Sequence, residues 1–348
     1  MNNVQTSKRV DWVDIAKGIG MLLVIFGHCE IGQFRDIVFS FHMPLFFICS
    51  GFTIRFSQTS DEFKKNTKRT FLYLMGNAFG IFLMHTVLKI IFIRENRATP
   101  AALLNYLSER ALAFIGGSGA EITFGSLTIT YVGVVWFLMA LLWGRIVFDF
   151  LHLICRKKAV FYLSIALVSI AGYALGHVQW LPMSLDIAFV IQPLFLFGYV
   201  LRKADLKKHP LFVCVGSLTG WIGTLLFIGV AGETVFEFAV RSYPFYPLCF
   251  VCAILGSMFI IGLSVVLSEY FRVPSVPLKL VGKYSILMFW VHGLDFCIPA
   301  VNSLFYITGN GYINALIRIF VDCFIFAIVM LLIRLFRKNN GSKSVKTS

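Results

Sequence analysis

Hydrophobic residues along the chain form long stretches that are separated by short polar breaks. Ten stretches can be drawn, each close to the roughly 20 mostly apolar residues that a helix needs to cross a bilayer. They cover residues 13–29, 37–56, 70–93, 131–154, 159–177, 184–201, 211–231, 246–268, 280–301 and 313–335. The pattern predicts an all-α fold, a polytopic membrane bundle of about ten transmembrane helices.

The lysines and arginines between these stretches indicate how the chain is oriented. Alternate breaks hold basic clusters, for example at residues 64–69 and 202–208, whereas the intervening breaks carry far fewer cations for their length. Short basic loops remain in the cytoplasm, so both termini are expected on the cytoplasmic side.

A single transmembrane domain over residues 1–338 accounts for nearly the whole sequence. The one long break, residues 94–130, is expected to hold a short amphipathic helix over 101–113 that lies against the outer surface. Residues 339–348 are polar and are expected to form a disordered cytoplasmic tail.

Composition agrees with a membrane protein and excludes several other classes. The chain is 58% hydrophobic and only 14% charged, whereas soluble domains average about 25% charged residues. The formal net charge of +14 would suit nucleic acid, but the cations sit in separate short clusters rather than on one continuous face. We therefore expect the lipid bilayer of the inner (plasma) membrane as the partner, and no nucleic acid.

The eight cysteines fall mostly inside apolar stretches, where cysteine usually acts as a small hydrophobic residue. Cys249 and Cys252 form a C-x-x-C pair, yet no second pair and no neighbouring histidine accompany them. The sequence therefore predicts neither a disulfide framework nor a metal site.

Three histidines and one lysine stand out inside the predicted spans. Lys17 lies near the inner end of the first span, and His28 follows eleven residues later, about 16 Å along a helix. His42 opens the second span at the same outer face, and His292 lies about 15 to 18 Å from the inner end of the ninth. Ionisable residues at membrane depth usually face a polar cavity, so these histidines predict a functional site.

Each of these residues also has a simpler interpretation. His292 could form a hydrogen bond between helices, and His42 could lie at the headgroup boundary. Lys17 could extend to the cytoplasmic surface or pair with Asp14 on the same helix face. The coincidence of all four residues favours the functional interpretation.

These segments resemble a known family. Lys17, ten further residues and His28 match the basic-x10-His motif of the acyltransferase-3 family, although many relatives carry Arg where this chain has Lys17. The segments WVDIAKGIGMLLVIFGH and FSFHMPLFFICSGF are most similar to the fucose 4-O-acetylase-like branch of that family. WFLMALLWGR and LVGKYSILMFWVHG extend the resemblance over almost the entire chain.

The resemblance implies a membrane O-acyltransferase. Acetyl-CoA, or another acyl-CoA, would be the donor on the cytoplasmic side, with no permanently bound cofactor, and the acceptor would be a hydroxyl of a cell-surface or lipid-linked sugar. His28 would act as general base or carry the acyl group covalently. His42 and His292 would orient His28 or bind the acceptor.

Substrate binding is assigned to four other residues. Lys17 and Arg69 are candidates for the phosphates or the thioester oxygen of the donor. Trp136 and Glu30 are candidates for the sugar, although aromatic residues are common at the membrane boundary and loop carboxylates are usually solvated.

Two functions of other classes stay open at this point. Intramembrane histidines and a lysine also mark transporters, here of a polysaccharide or a lipid-linked saccharide precursor. The sequence shows no repeated pair of interrupted helices of the kind found at transporter sites. A scaffolding subunit of an envelope-synthesis complex is the third candidate.

Overall fold

The computed structural model describes residues 9–29, 31–124, 126–231 and 236–344. Helices make up 78% of the structure, and one two-stranded antiparallel sheet is present, formed by β1 (Ile122–Phe124) and β2 (Leu127–Ile129). The all-α prediction is confirmed. The α-helices, in chain order, are α1 (Asp11–Gly27), α2 (Phe34–Phe39), α3 (His42–Thr53), α4 (Ser60–Phe92), α5 (Pro100–Gly116), α6 (Trp136–Ile154), α7 (Lys158–Val178), α8 (Leu185–Val190), α9 (Gln192–Leu201), α10 (Pro210–Val230), α11 (Leu248–Tyr270), α12 (Val276–Lys283), α13 (Ser285–Gly293), α14 (Pro299–Asn302) and α15 (Gly311–Ser344).

Seven helical segments among the described residues are long and apolar enough to cross a membrane. An eighth is added if the helices over Pro182–Val190 and Gln192–Leu201, bent by 51° relative to each other, form one broken span. The protein is therefore a multi-pass membrane protein, but the predicted count of about ten is not confirmed. Two predicted spans lack a long continuous apolar helix: α1 has 17 residues and contains Asp14 and Lys17, and the ninth span is divided between α12 and α13.

Helix α4 begins at Ser60, ten residues before the predicted third span. Thr59 caps it by accepting a hydrogen bond from the backbone N–H of Glu62, and the Glu62 carboxylate accepts one from the backbone N–H of Gln58. This reciprocal capping, with Asp61 and Glu62 in the first turn, starts the helix in the polar region. The basic residues 64–69 consequently lie on a helix rather than in a loop.

The long break contains helix α5, as predicted. The Thr99 side chain accepts a hydrogen bond from the backbone N–H of Ala102, and Pro100 occupies the first turn. Gly117 ends the helix with φ of 58°, a left-handed conformation that glycine adopts without strain. At the other end of the chain, α15 continues to Ser344, six residues into the segment expected to be a disordered tail.

Helix α1, which carries Lys17 and leads to His28, packs very closely against α12. A Cβ atom placed on Gly18 would lie 2.1 Å from the carbonyl oxygen of Leu278, and one on Gly282 would lie 1.6 Å from that of Asp14. Small residues let membrane helices approach to backbone contact. Glycine at both positions therefore fixes α1 in the bundle.

A buried ion pair fastens the segment after α10 to α8. Arg241 donates hydrogen bonds of 2.7 and 3.1 Å to the Asp186 carboxylate, and its guanidinium lies 4.1 Å from the centre of the Trp180 ring. Both charged side chains are almost fully buried. Glu237 and Phe238, which line the cavity described next, belong to the segment that this pair fixes.

Candidate active site

His28 caps the C-terminus of α1 and faces a cavity. Its Nδ1 lies 2.7 Å from the carbonyl oxygen of Val24, and because a carbonyl only accepts, Nδ1 carries the hydrogen and donates. The neutral ring then has its lone pair on Nε2. The imidazole is exposed to the cavity, so His28 can take a proton from a group bound there.

His42 is held in a similar way at the start of α3. Its Nδ1 donates to the carbonyl oxygen of Val38 at 2.9 Å, and the side chain is buried. The ring of Phe39 lies 4.7 Å from that of His42 and 6.3 Å from that of His28. Phe39 thus packs beside both histidines in the wall of one cavity.

His292, near the end of α13, lies fully buried beside His28. The two ring centres are 5.1 Å apart, and the rings meet edge to face at 66°. The Nδ1 of His292 donates to the Asp295 carboxylate at 2.8 Å. The carboxylate therefore sets the ring orientation of a histidine that contacts His28.

Two charged residues of α15 complete a buried charge cluster, which consists of Asp295, Arg318 and Asp322. Arg318 Nε donates to Asp295 at 2.8 Å, and a second guanidinium nitrogen also contacts that carboxylate. Asp322 lies 3.6 Å from His292 Nδ1 and 3.9 Å from the guanidinium of Arg318. All these side chains are fully buried, and the cluster contains two carboxyl groups but one guanidinium behind the histidine pair.

The same cluster has the spacing of a possible metal site. Ligand atoms of His292, Asp295 and Asp322 all lie within 4.8 Å of one another. Arg318 already supplies a positive charge to Asp295 by a direct ion pair. The arrangement therefore fits an ion-pair network that supports His292.

His28 and His42 open into a cavity of about 890 Å³, here called the histidine cavity. Its walls come from α1 to α6, from Phe289 and Phe296, and from the segment 237–239. The size is within the range of small-molecule sites, which is about 300 to 1,000 Å³. The charged side chains that line it are Arg35, Asp36, Lys89, Arg110 and Glu237.

A second cavity, of about 1230 Å³, surrounds Lys17 and is here called the lysine cavity. Lys17 pairs with Asp14 at 3.3 Å, and Asp14 also pairs with Arg9. Among the described residues, the cavity is lined by six cationic side chains and by one carboxylate, that of Asp149. The Asp149 carboxylate accepts two hydrogen bonds from Ser57. These cations are Lys17, Arg55, Lys65, Lys68, Arg69 and Arg145.

The two cavities meet at four side chains, Met21, Phe46, Phe137 and Phe289, that line both of them. The four come from α1, α3, α6 and α13. Ring centres are 5.7 Å apart for Phe46 and Phe137 and 6.3 Å apart for Phe137 and Phe289. This apolar septum is the boundary between a basic cavity and a cavity lined by histidines.

The family model of the acyltransferase domain, type 3, matches residues 10–337. The chain belongs to the acyltransferase-3 family. It is therefore a membrane acyltransferase. No curated protein and no solved structure matches the chain.

The acyltransferase-3 fold brings most of the predicted site residues together in two groups. His28, His42 and Trp136 line the histidine cavity, with His292 directly behind His28. Lys17 and Arg69 line the lysine cavity, although they lie on different helices. Glu30 lies outside the described residues.

Trp136 is largely enclosed by its neighbours. It is 8% exposed, and a Cβ atom on Gly119 would lie 2.6 Å from the indole ring. Its remaining exposed surface faces the histidine cavity. The position suits contact with a bound group better than an aromatic belt residue facing lipid.

The charge cluster and His85 are not among the site residues predicted from the sequence. Asp295 is three residues after His292, and Arg318 and Asp322 are four residues apart inside a predicted span. Ionisable groups at membrane depth indicate function, so the positions of Asp295, Arg318 and Asp322 in the sequence could have predicted the charge cluster. His85, buried in the wall of the histidine cavity, lies in the third span and has the same signal.

Proposed function

We propose that this acyltransferase moves an acetyl group from cytoplasmic acetyl-CoA to a hydroxyl of a cell-surface or lipid-linked sugar. The supporting observation is that the lysine cavity and the histidine cavity share the septum of Met21, Phe46, Phe137 and Phe289. A donor in one cavity and an acceptor in the other would meet there. The resemblance to the fucose 4-O-acetylase-like branch supports acetyl and sugar as the two substrates.

The lysine cavity suits the donor. Acyl-CoA carries several phosphate charges, and the cavity offers Lys17 and Arg69 with four further cations. The distribution of basic loops supports a position of this cavity on the cytoplasmic side of the inner membrane, where coenzyme A would be available. The thioester arm would then point toward the septum.

His28 suits the role of general base. Its Nε2 takes the proton of the acceptor hydroxyl while the hydroxyl oxygen attacks the thioester carbonyl carbon. The C–S bond breaks, coenzyme A leaves as the thiolate, and the imidazolium returns its proton to solvent. A positioned base of this kind contributes about 10² to 10⁴ in rate.

The buried charge cluster would stabilise the positive charge that develops on His28. His28 becomes positive in the transition state, and Asp295, Arg318 and Asp322 on the far side of His292 carry one net negative charge when both carboxyl groups are ionised. Preorganised charge of opposite sign stabilises a developing charge more in a dry site than in water.

The test is acyl transfer from labelled acetyl-CoA to crude envelope glycan in membranes that contain the protein. His28→Ala is compared at matched expression with His177→Ala, because His177 makes the same hydrogen bond to the residue four positions earlier but lines neither cavity. We expect label in glycan from wild type and His177→Ala and none from His28→Ala. Equal label from His28→Ala would remove His28 from the mechanism.

A transporter would behave differently in the same membranes. It would move glycan without donor-dependent labelling, so absence of label from wild type with each acyl-CoA offered would contradict the proposed reaction.

A further inference from the structure

One wall of the histidine cavity is basic and is not used by the chemistry described above. It is formed by His85 and Lys89 of α4 and by Arg110 of α5, here called the basic wall. His85 and Lys89 are four residues apart and so lie on one face of α4. Lys89 and Arg110 are half-buried, which keeps them partly shielded from bulk water.

No carboxylate among the described residues forms an ion pair with the basic wall. The Lys89 and Arg110 charges repel each other, and no carboxylate of the described residues lies within 4 Å of either. Arg35 and Glu237, also in the cavity lining, neutralise one another at 3.0 Å. Asp36 is on α2 and forms no ion pair with the wall.

Arg110 is held in place although no carboxylate of the described residues forms an ion pair with it. Its Nη1 donates to the carbonyl oxygen of Tyr131 at 3.2 Å, and its guanidinium lies 5.1 Å from the ring centre of Phe82. Its Nε is buried without a hydrogen-bond partner. A half-buried cation with an unused donor is costly unless a bound anion accepts from it.

We propose that the acceptor carries an anionic group, a carboxylate or a phosphate, which binds between Lys89 and Arg110 while a sugar hydroxyl reaches His28. This inference rests on the proposed function, because it names the chemical class of the acceptor in the same cavity. Guanidinium binds carboxylate and phosphate oxygens with directed hydrogen bonds, and ammonium adds a compact charge. A neutral sugar leaves both cations unpaired.

The two anionic groups come from different acceptors. A carboxylate belongs to an acidic sugar within the glycan, whereas a phosphate belongs to a sugar phosphate or to the link between a saccharide and its lipid carrier. Both groups present negative charge to the basic wall, so binding experiments must separate them.

The experiment measures equilibrium binding to the full-length protein in nanodiscs, without acyl-CoA, for methyl glucuronide, glucose 1-phosphate and methyl glucoside. We expect at least one anionic probe to bind roughly tenfold or more tightly than neutral methyl glucoside, as hydrogen bonds to charged groups contribute that much. Preference for the glucuronide identifies a carboxylate acceptor, and preference for the sugar phosphate identifies a phosphate acceptor. Equal binding of all three probes, or no binding of either anionic probe, overturns the proposal.

Variants assign the preference to the basic wall. Lys89→Gln and Arg110→Gln should each weaken binding of the anionic probe by about tenfold, and Arg110→Lys, which keeps the charge but loses the directed hydrogen bonds, should weaken it less than Arg110→Gln. Arg94→Gln is the matched control, because Arg94 is an exposed cation just beyond α4 that does not line the cavity. An anionic preference that survives both glutamine variants would overturn the assignment.

Failure of this inference is distinguishable from failure of the proposed function. Binding is read without acyl transfer, so anionic preference with no labelled product would contradict the reaction and leave the basic wall intact. Labelled product with no preference for the anionic probes would contradict the anionic acceptor and leave the proposed reaction intact. Thermal unfolding of each variant, compared with wild type, identifies any loss that comes from misfolding.

Discussion

Single side chains set the chemistry of the histidine site through hydrogen bonds. Backbone carbonyls hold Nδ1 of His28 and of His42, and a carboxylate holds Nδ1 of His292. The first two bonds join each histidine to the residue four positions earlier, so they follow from local backbone geometry. The third bond also depends on Asp295, which the ion pair with Arg318 fixes from another helix.

At this scale, Asp322→Asn tests whether the buried charge cluster acts on His28. Asp322 accepts no hydrogen bond, and the substitution keeps the direct Arg318–Asp295 pair. At an effective dielectric constant of about 20, a unit charge within about 10 Å contributes on the order of 1.5 kcal/mol, so kcat should fall about tenfold. The KM for acyl-CoA should not change.

The control for this substitution is Asp61→Asn, which removes an exposed carboxylate at the start of α4. Its kcat should equal that of wild type. An Asp322→Asn variant with wild-type kcat and wild-type thermal unfolding would show that the cluster is structural only.

Helices place these side chains, and α1 is the element on which both cavities depend. It carries Lys17 in one cavity, His28 in the other and Met21 in the septum. Its position is set by backbone contact with α12 at Gly18 and Gly282. Local sequence predicted the helix, but not which helix it packs against.

Gly282→Ala tests this contact. The new methyl group would overlap the carbonyl oxygen of Asp14, so α1 must shift, and overpacking of this kind costs about 1 to 3 kcal/mol. We expect a lower thermal unfolding temperature and loss of transfer activity, since Lys17 and His28 move together.

Gly223→Ala in α10 is the matched substitution, because no atom lies within 4 Å of the added Cβ. It should leave both stability and activity close to wild type. Equal behaviour of the two alanine variants would contradict the role of the α1–α12 contact.

At the scale of the whole molecule, the septum is where the lysine cavity meets the histidine cavity. Four helices contribute one side chain each, and no pair of these residues is close in sequence. If an acyl group passes here, the septum limits its length. The size of its side chains therefore becomes a determinant of donor choice.

Phe289→Ala should shift the preference from acetyl-CoA toward butyryl-CoA. Butyryl is longer by two methylene groups, each worth about 0.8 kcal/mol when buried, so the ratio of butyryl to acetyl transfer should rise about tenfold. Phe326→Ala, which truncates a buried Phe of α15 outside both cavities, should leave the ratio unchanged. An unchanged ratio in Phe289→Ala would show that the acyl group does not pass the septum.

The sequence by itself determined that the chain lies in a membrane, that it is helical and which family it belongs to, because hydrophobic periodicity and motif spacing are local properties of a chain. For the same reason it singled out Lys17, His28, His42 and His292 as candidate site residues. It misplaced the start of α4, where capping residues extend a helix beyond its apolar part, and it treated the ninth span as continuous where α12 and α13 divide it. Only the tertiary structure decided which residues meet. Asp295 reaches Arg318 and Asp322 because α13 packs on α15, the basic wall joins α4 to α5, and the septum joins four helices, and contacts between distant segments depend on packing that no local pattern encodes.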